Sequence, residues 1–120
     1  MAVVTEFCAQ WSNPDPARLG EYFTDDAVFH NMPMEPLHGR AAIVEFIGGF
    51  VSAFAGLEFR VHHQAANGNV VFSERSDVIT RPDGAVVELP VVGVFEIIDG
   101  RISAWRDYFD MAAVTAAFGT

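Results

Sequence analysis

The second half of the chain contains three turn sequences at similar spacing, and this pattern restricts the possible folds more than any other feature. Asn67-Gly68, Pro82-Asp83-Gly84 and Asp99-Gly100 separate four segments rich in β-branched and aromatic residues. Turn sequences of this kind between alternating segments are typical of β-hairpins. The pattern therefore predicts an antiparallel meander of four strands, at Leu57–Ala65, Asn69–Thr80, Val86–Ile97 and Arg101–Phe109.

The first half of the chain is predicted to be mainly helical. Apolar residues recur at helical spacing from Val3 to Trp11 and from Ala41 to Phe54, and a short helix is expected to begin at Asp15-Pro16. Ala27–Met32 is predicted to be a strand, and Met111–Phe118 a short terminal helix or tail. Helices followed by a meander indicate an α+β fold, in which a curved antiparallel sheet wraps around the N-terminal helices.

Length, composition and charge restrict the class of protein. The 120 residues, 51% of them apolar, suffice for one domain with its own core, so we expect a single domain over 1–120. Seven basic and 16 acidic residues give a formal net charge of −9, which argues against nucleic acid or an anionic membrane as a partner. The N-terminus lacks the features of a signal peptide, and no apolar stretch is long enough to span a bilayer. We therefore expect a cytoplasmic protein.

The last predicted strand contains one carboxylate between two large aromatic residues. Because side chains alternate along a strand, Trp105, Asp107 and Phe109 share a face. A buried acid needs a partner, and Arg75 and Asp77 on an earlier strand can supply one. Two acids and an arginine in an apolar pocket indicate acid/base chemistry, because burial and like-charge repulsion separate the pKa values of two carboxylates. A structural ion-pair network would use the same residues, and the residues alone leave both interpretations open.

The turn sequences also predict the register of the meander. The Pro82-Asp83-Gly84 turn fits a three-residue loop with the glycine in the left-handed position, which pairs Arg75 with Val91. A loop of the same length at Asp99-Gly100 places Val91 opposite Asp107. Arg75 and Asp107 would then lie across one intervening strand, about 10 Å apart at the backbone, with their side chains meeting over Val91.

In this register the inner face of the sheet is apolar around its charged centre, and we expect it to line a pocket. The predicted pocket residues are Phe29, Phe46, Ile47, Phe50, His63, Leu89, Val91, Phe95, Trp105 and Phe109. His63 is included because it points inward in this register; a hydrogen-bonded core histidine and a catalytic base are both consistent with that position. No two histidines and a carboxylate share a spacing typical of metal ligands, so no metal site is expected.

The outer face of the predicted sheet carries an apolar stripe that is too wide to remain exposed. The stripe consists of Val78, Pro90, Val92, Val94 and Tyr108. Wide apolar surfaces of soluble proteins are commonly covered by a partner, and symmetric dimers are the commonest assembly. We therefore expect a homodimer that forms through this outer face.

Three segments, in this order, resemble the limonene-1,2-epoxide hydrolase family. They are Phe29-His30-Asn31-Met32-Pro33, Glu74-Arg75-Ser76-Asp77-Val78, and the region from Gly93-Val94-Phe95 through Asp99-Gly100-Arg101-Ile102 to Trp105-Arg106-Asp107-Tyr108-Phe109-Asp110. That family belongs to the superfamily of nuclear transport factor two, ketosteroid isomerase, scytalone dehydratase and the polyketide cyclases. The resemblance covers nearly the whole chain and implies a cone-shaped, cystatin-like α+β barrel that encloses an apolar pocket.

The resemblance implies that water opens a small apolar epoxide in one step, without a metal or other cofactor. In this family mechanism Asp107 would deprotonate the water, and Asp77, kept protonated, would donate to the epoxide oxygen. Arg75 would bridge the two acids, and Asn31 would help to hold the water. A general base and a general acid are both expected, because an epoxide is a poor electrophile and needs the two to act together.

Phe29 is a departure from the family pattern, because the family has a tyrosine at this position that also holds the water. Loss of that hydrogen bond is expected to reduce the rate about tenfold to a hundredfold. Two alternatives to a slower epoxide hydrolase remain open. One is another enzyme of the same fold, such as a polyketide cyclase, dehydratase or isomerase that uses Asp107 with His63. The other is a non-catalytic protein that binds apolar ligands.

Overall fold

The computed structural model describes residues 1–118, which contain four helices and six strands. Their bounds are α1 Ala2–Gln10, α2 Pro16–Gly20, β1 Phe23–Asn31, β2 Leu37–His38, α3 Arg40–Ser52, β3 Gly56–Asn67, β4 Val70–Thr80, β5 Val86–Ile98, β6 Arg101–Tyr108 and α4 Met111–Phe118. Asp15 caps α2, since its Oδ1 accepts a hydrogen bond from the backbone N–H of Ala17 at 3.1 Å. Within residues 1–118, no helix has the length and apolar character needed to cross a bilayer.

The six strands form one open, curved sheet in the order β2-β1-β6-β5-β4-β3. Strands β3 to β6 form the predicted antiparallel meander. The strand predicted at Ala27–Met32 is β1, which begins earlier, at Phe23, and lies parallel to β6. This parallel pairing brings the first and last strands together and places Asn31 beside Asp107. The predicted α+β class is confirmed, with a sheet that does not close into a complete barrel.

The core lies between the inner face of the sheet and helices α1 and α3. Phe7 of α1 is fully buried and contacts the edges or faces of several other rings. Its ring centroid lies 5.1 Å from that of Trp105 and 5.5 Å from that of Phe23. Ile43 and Ile47 of α3 are fully buried in the same cluster. The apolar faces of both helices thus pack against the inner face of the sheet.

The register between β5 and β6 differs from the prediction at two places, and the two shifts add up to two residues. Arg75 pairs with Val91, as predicted. The β5–β6 turn has two residues instead of three, with Asp99 at φ 50° and Gly100 at φ 77°, as a type I′ hairpin requires. A β-bulge between Glu96 and Ile97 adds a second shift, so that Gly93, and not Val91, lies opposite Asp107. A shift of two residues leaves every side chain on its predicted face.

The prediction that His63 points inward is wrong. A register shift between Val61 and His63 interrupts the alternation of β3 and pairs His63 with Glu74, a residue of the outer face. The His63 side chain is 82% exposed, and its Nδ1 lies 2.9 Å from Oε1 of Glu74. His63 therefore belongs to the outer surface of the sheet and not to the predicted pocket.

Candidate active site

Arg75 forms hydrogen bonds with two carboxylates that lie on different strands. Its Nε donates to Oδ1 of Asp77 at 2.6 Å, and its Nη2 donates to Oδ2 of Asp77 at 3.2 Å. Toward the other side, Nη1 donates to Oδ1 of Asp107 at 3.1 Å and Nη2 to Oδ2 of Asp107 at 2.6 Å. Charge-assisted, two-pronged contacts of this kind fix the planes of all three groups relative to each other. The predicted convergence of Arg75, Asp77 and Asp107 is thus present, with Arg75 between the two acids.

The three charged side chains are buried. The exposed fractions of the side chains are 0% for Arg75, 13% for Asp77 and 7% for Asp107. The Arg75 guanidinium lies over the ring of Phe59, with its Cζ 4.3 Å from the ring centroid, an arrangement that stabilises a desolvated cation. With both acids ionised, this cluster would carry one unbalanced negative charge away from water, which favours retention of a proton.

Burial has opposite consequences for Asp77 and Arg75. It raises the pKa of Asp77 to about 6, even though Arg75 favours the ionised carboxylate, and Asp107 adds to the upward shift by like-charge repulsion. For Arg75, burial alone lowers the pKa, but attraction by Asp107 and Asp77 outweighs it and the pKa is raised. Arg75 therefore remains a cation, and Asp77 is an acid that titrates close to neutral pH.

The two carboxylates reach the wall of a cavity of about 390 Å³. Among the described residues, Asn31 supplies the other polar side chain of the wall, and the remaining wall residues are apolar or aromatic. Seven of the predicted pocket residues line it: Phe29, Phe46, Phe50, Leu89, Val91, Trp105 and Phe109. Apolar cavities with a few convergent polar groups are typical of small-molecule sites.

Three predicted pocket residues and Arg75 do not line this cavity. Phe95 and Ile47 are fully buried in the core behind its wall. The sequence pattern did not distinguish them from wall residues, because core and pocket residues share the same apolar periodicity. His63 lies on the outer face, as described above. In the described part of the chain Arg75 also lies outside the wall, behind Phe59, so that it can act on a ligand only through the two carboxylates.

Eight wall residues within residues 1–118 were not predicted from the sequence, and several belong to elements predicted to be core or tail. They are Trp11, Met34, Phe54, Phe59, Ile79, Met111, Val114 and Phe118. Helix α4, predicted to be a helix or tail, contributes three of them. Near the C-terminal end of α4, the carbonyl oxygen of Ala117 accepts a hydrogen bond from Arg81 Nη1 at 3.1 Å. Apolar spacing in α4 was a usable signal, since residues 111, 114 and 118 repeat every three or four positions.

Phe29 packs against Trp105, whose indole N–H donates to Asp107. Its ring stacks on that of Trp105, with centroids 4.0 Å apart and an angle of 15° between the planes. It also meets the edge of Phe46, with centroids 5.7 Å apart. Two residues further along β1, Asn31 is the backbone neighbour of Asp107 and lines the same cavity. The phenyl ring thus adds apolar surface where a tyrosine would add a hydroxyl group.

The outer face of the sheet exposes large apolar side chains around its centre. Phe72 is 44% exposed, Val92 39% and Tyr108 45%, whereas Val94 between them is only 8% exposed.

Across residues 1–118, no group of three or more His, Cys, Asp or Glu side chains is arranged as a possible metal site.

Comparison with known proteins identifies relatives over most of the chain. The family model described as a SnoaL-like domain matches residues 4–105. Epoxide hydrolase EphG of Mycobacterium tuberculosis is 35% identical over 112 residues, which are 90% of this chain and 71% of EphG. A solved LEH-like epoxide hydrolase of M. tuberculosis superposes with a TM-score of 0.83 at 27% identity, covering 99% of this chain and 95% of that one. The epoxide hydrolase/cyclase-like enzyme SalBIII has a TM-score of 0.84 at 24% identity, over 93% and 91% of the chains, which shows a shared fold.

Proposed function

The chain belongs to the SnoaL-like domain family, and we propose that it is an epoxide hydrolase, which adds water to a small apolar epoxide and releases a vicinal diol. The observation that carries this proposal is the sharing of one buried guanidinium by two carboxylates of a single apolar cavity. The 35% identity to epoxide hydrolase EphG and the similarity to an LEH-like epoxide hydrolase support epoxide hydrolysis in general.

Asp107 is proposed to act as the general base. Its Oδ1 accepts hydrogen bonds from Trp105 Nε1 at 2.6 Å and from Arg75 Nη1 at 3.1 Å, while Oδ2 accepts one from Arg75 Nη2. A carboxylate oxygen can accept about two hydrogen bonds, so Oδ2 can accept one more. A water at Oδ2, held also by the amide of Asn31, would lose a proton to Asp107 as its oxygen attacks one epoxide carbon.

Asp77 is proposed to act as the general acid. Its raised pKa of about 6 leaves a protonated fraction near neutral pH, and an apolar substrate that displaces water from the cavity would favour the protonated form further. As the carbon–oxygen bond breaks, the proton of Asp77 passes to the leaving epoxide oxygen. One water and one epoxide thus become one diol, and transfer of a proton from Asp107 back to Asp77 restores the starting state.

The cavity supports a compact, neutral and mostly hydrocarbon substrate. Its charged wall residues in the described chain are the acids Asp77 and Asp107, so a carboxylate on the substrate would be repelled. Aromatic rings of Phe46, Phe50 and Phe54 offer apolar contacts to the part of the substrate that does not react. A bound hydrocarbon would displace water from these walls, which would strengthen the electrostatic action of both acids on the epoxide.

The structure argues against one of the two alternative functions and leaves one observation in favour of the other. A cyclase, dehydratase or isomerase that uses Asp107 with His63 loses its proposed base, because His63 is on the outer face of the sheet. A non-catalytic protein that binds apolar ligands is favoured by one observation, the phenyl ring of Phe29 in the cavity wall. The resemblance to the limonene-1,2-epoxide hydrolase family implies a tyrosine at this position. For such a binding protein, apolar ligands would raise the melting temperature without being converted.

The test is a screen of small apolar epoxides with wild-type protein and with Asp107→Asn and Asp77→Asn variants. Each variant should lose on the order of a hundredfold to ten-thousandfold in kcat, with a cooperative unfolding transition showing that it still folds. The same acid-to-amide change at the exposed Glu45 of α3 is the matched control and should leave kcat unchanged. Turnover that survives in both site variants, or ligand binding without turnover by the wild-type protein, would contradict the proposal.

We also propose that the protein is a homodimer formed through the outer face of the sheet. Phe72, Val92 and Tyr108 expose apolar surface at its centre, and a second copy would cover the same residues symmetrically. The pairs His63–Glu74 and Arg106–Glu96 add charged groups of both signs to this face. Complementary charges beside apolar side chains favour one relative orientation of the two copies.

A further inference from the structure

We propose that Gly93 is a positioning residue for the charged cluster, because the absence of a side chain at this point of β5 allows Arg75 to reach Asp107. Gly93 pairs with Ser73 on β4 and with Asp107 on β6. Arg75 lies two residues from Ser73, so its side chain must cross the intervening strand diagonally to reach the acid. The crossing point lies over Gly93.

The space at Gly93 is occupied by the guanidinium itself. A Cβ atom at this position would lie 2.6 Å from Nη1 of Arg75 and 3.0 Å from Oδ1 of Asp107. It would also lie 3.0 Å from Cε1 of Phe95. The first of these distances is shorter than van der Waals contact allows, so that either the guanidinium or the backbone would have to move.

The guanidinium cannot move away without losing hydrogen bonds. Nη1 of Arg75 is the donor that reaches Oδ1 of Asp107, at 3.1 Å, and the ring of Phe59 lies 4.3 Å from Cζ. Asp107 is held in turn by the indole N–H of Trp105 at 2.6 Å. A methyl group at residue 93 would therefore act first on the bond between Nη1 and Oδ1.

The backbone conformation at residue 93 does not require a glycine. In the described chain, the glycines with positive φ are Gly39, Gly68, Gly84 and Gly100, and Gly93 has an ordinary strand conformation that any residue can adopt. Glycine inside a strand weakens the strand and often marks a close approach of other groups. Close approach of Arg75 is thus the physical reason for a glycine between Val92 and Val94.

The consequence for catalysis rests on the proposed hydrolase function. Loss of the contact between Nη1 and Oδ1 would shift the Asp107 carboxylate relative to Arg75, although Trp105 Nε1 and Arg75 Nη2 would still contact it. Asp77 would keep its contact with Nε of Arg75. Gly93 does not line the cavity in the described chain, so the walls that bind the substrate would be unchanged. A substitution at this position should therefore affect kcat and leave KM nearly unaffected.

The first experiment compares Gly93→Ala with Gly49→Ala. Gly49 is the matched control, because a Cβ atom there would meet nothing within 4 Å. For an apolar epoxide, Gly93→Ala should lower kcat on the order of tenfold to a hundredfold, as expected for a small misplacement of a reacting group, with KM within about twofold of the wild-type value. Gly49→Ala should retain the wild-type kcat. A Gly93→Ala variant with wild-type kcat would overturn the proposal.

The second experiment needs no catalytic activity and tests the contact itself. Gly93→Ala is made in the wild-type protein and in an Arg75→Lys variant, and the urea midpoint of all four proteins is measured as a double-mutant cycle. Lysine keeps the charge but lacks the branched, planar guanidinium. The alanine should therefore lower the midpoint strongly beside Arg75 and much less in the Arg75→Lys background.

The outcomes of this cycle separate the inference from the proposed function. A Gly93→Ala protein that folds only in the Arg75→Lys background supports the inference, whether or not the wild-type protein opens epoxides. An equal drop of the midpoint in both backgrounds would overturn it, because the added methyl group would then clash with Phe95 or the backbone and not with the guanidinium. If Gly93→Ala fails to fold in both the wild-type and the Arg75→Lys backgrounds, the inference is overturned for the same reason.

Discussion

The indole Nε1 of Trp105 donates a hydrogen bond of 2.6 Å to Oδ1 of Asp107, two residues further along the same strand. This bond crosses the inner face of β6 and joins the cavity wall to the charged cluster. Together with Nη1 of Arg75 it occupies Oδ1, which leaves Oδ2 as the oxygen available to a water. Trp105 thus orients the proposed base in addition to forming apolar wall.

Replacement of Trp105 by phenylalanine tests this orienting role. Trp105→Phe removes the N–H donor but keeps an aromatic ring beside Phe29. A lost hydrogen bond to a charged group should lower kcat about tenfold to a hundredfold. The matched control is Trp11→Phe, because Nε1 of Trp11 is buried without a hydrogen-bond partner in residues 1–118, so that the same change breaks no such bond. Equal effects of the two substitutions on kcat would show that the donor is unimportant.

The pH dependence of the reaction should report the titration of Asp77. Burial raises the pKa of Asp77 to about 6, and the proposed acid is active only when protonated. The value of kcat/KM should therefore decrease as the pH rises through about 6, since this parameter follows the free enzyme. In Asp77→Asn the remaining activity should lack this decrease. A wild-type profile without a downward limb in this range would argue against Asp77 as the acid.

A hydroxyl group at residue 29 should increase the rate. Phe29 lies beside Asn31 in the cavity wall and stacks on Trp105. Phe29→Tyr should restore a hydrogen bond to the attacking water and raise kcat for a small epoxide about tenfold. The neighbouring Phe46→Tyr adds the same group to the same cavity from α3 and is the control for a general effect of polarity. An unchanged or lower rate in a folded Phe29→Tyr variant would show that the water lies elsewhere.

The proposed dimer should depend on the apolar centre of the outer face. Val92→Lys places a charge there, and it should shift the protein toward monomer in sedimentation or size-exclusion measurements, because an unpaired charge in an interface is costly. Ala9→Lys, on the exposed side of α1, adds the same charge away from the sheet and should leave the assembly unchanged. A wild-type protein that remains monomeric at high concentration would contradict the proposed interface.

The order of the four meander strands and the faces of their central side chains were predictable, because they depend on local signals. The alternation around Arg75, Asp77 and Asp107 placed all three on the inner face, and their actual register preserves this arrangement. The resemblance to the limonene-1,2-epoxide hydrolase family is confirmed by the relatives found. The resemblance implied that Asn31 and Asp107 act at one site, and the parallel pairing of β1 and β6, which was not predicted, brings them together.

Features that depend on several elements at once were not predictable from local patterns. The β-bulge that turns His63 outward has no clear mark in the sequence, because the residues around it would also suit regular pairing. The apolar periodicity of α3 is the same for Ile47 in the core and Phe46 in the cavity wall. Gly93 could be recognised as an unusual strand residue, but the group that needs its space became visible only with the three-dimensional arrangement.

The most direct test of the proposed mechanism is a single turnover in oxygen-18 water, with enzyme in excess over a small apolar epoxide. Direct attack by a water held at Asp107 predicts that the diol formed in this first turnover carries one atom of oxygen-18, and that no label enters the protein. Diol that contains only oxygen-16, together with label in an aspartate of the protein, would reveal a covalent ester intermediate and would contradict direct attack by water.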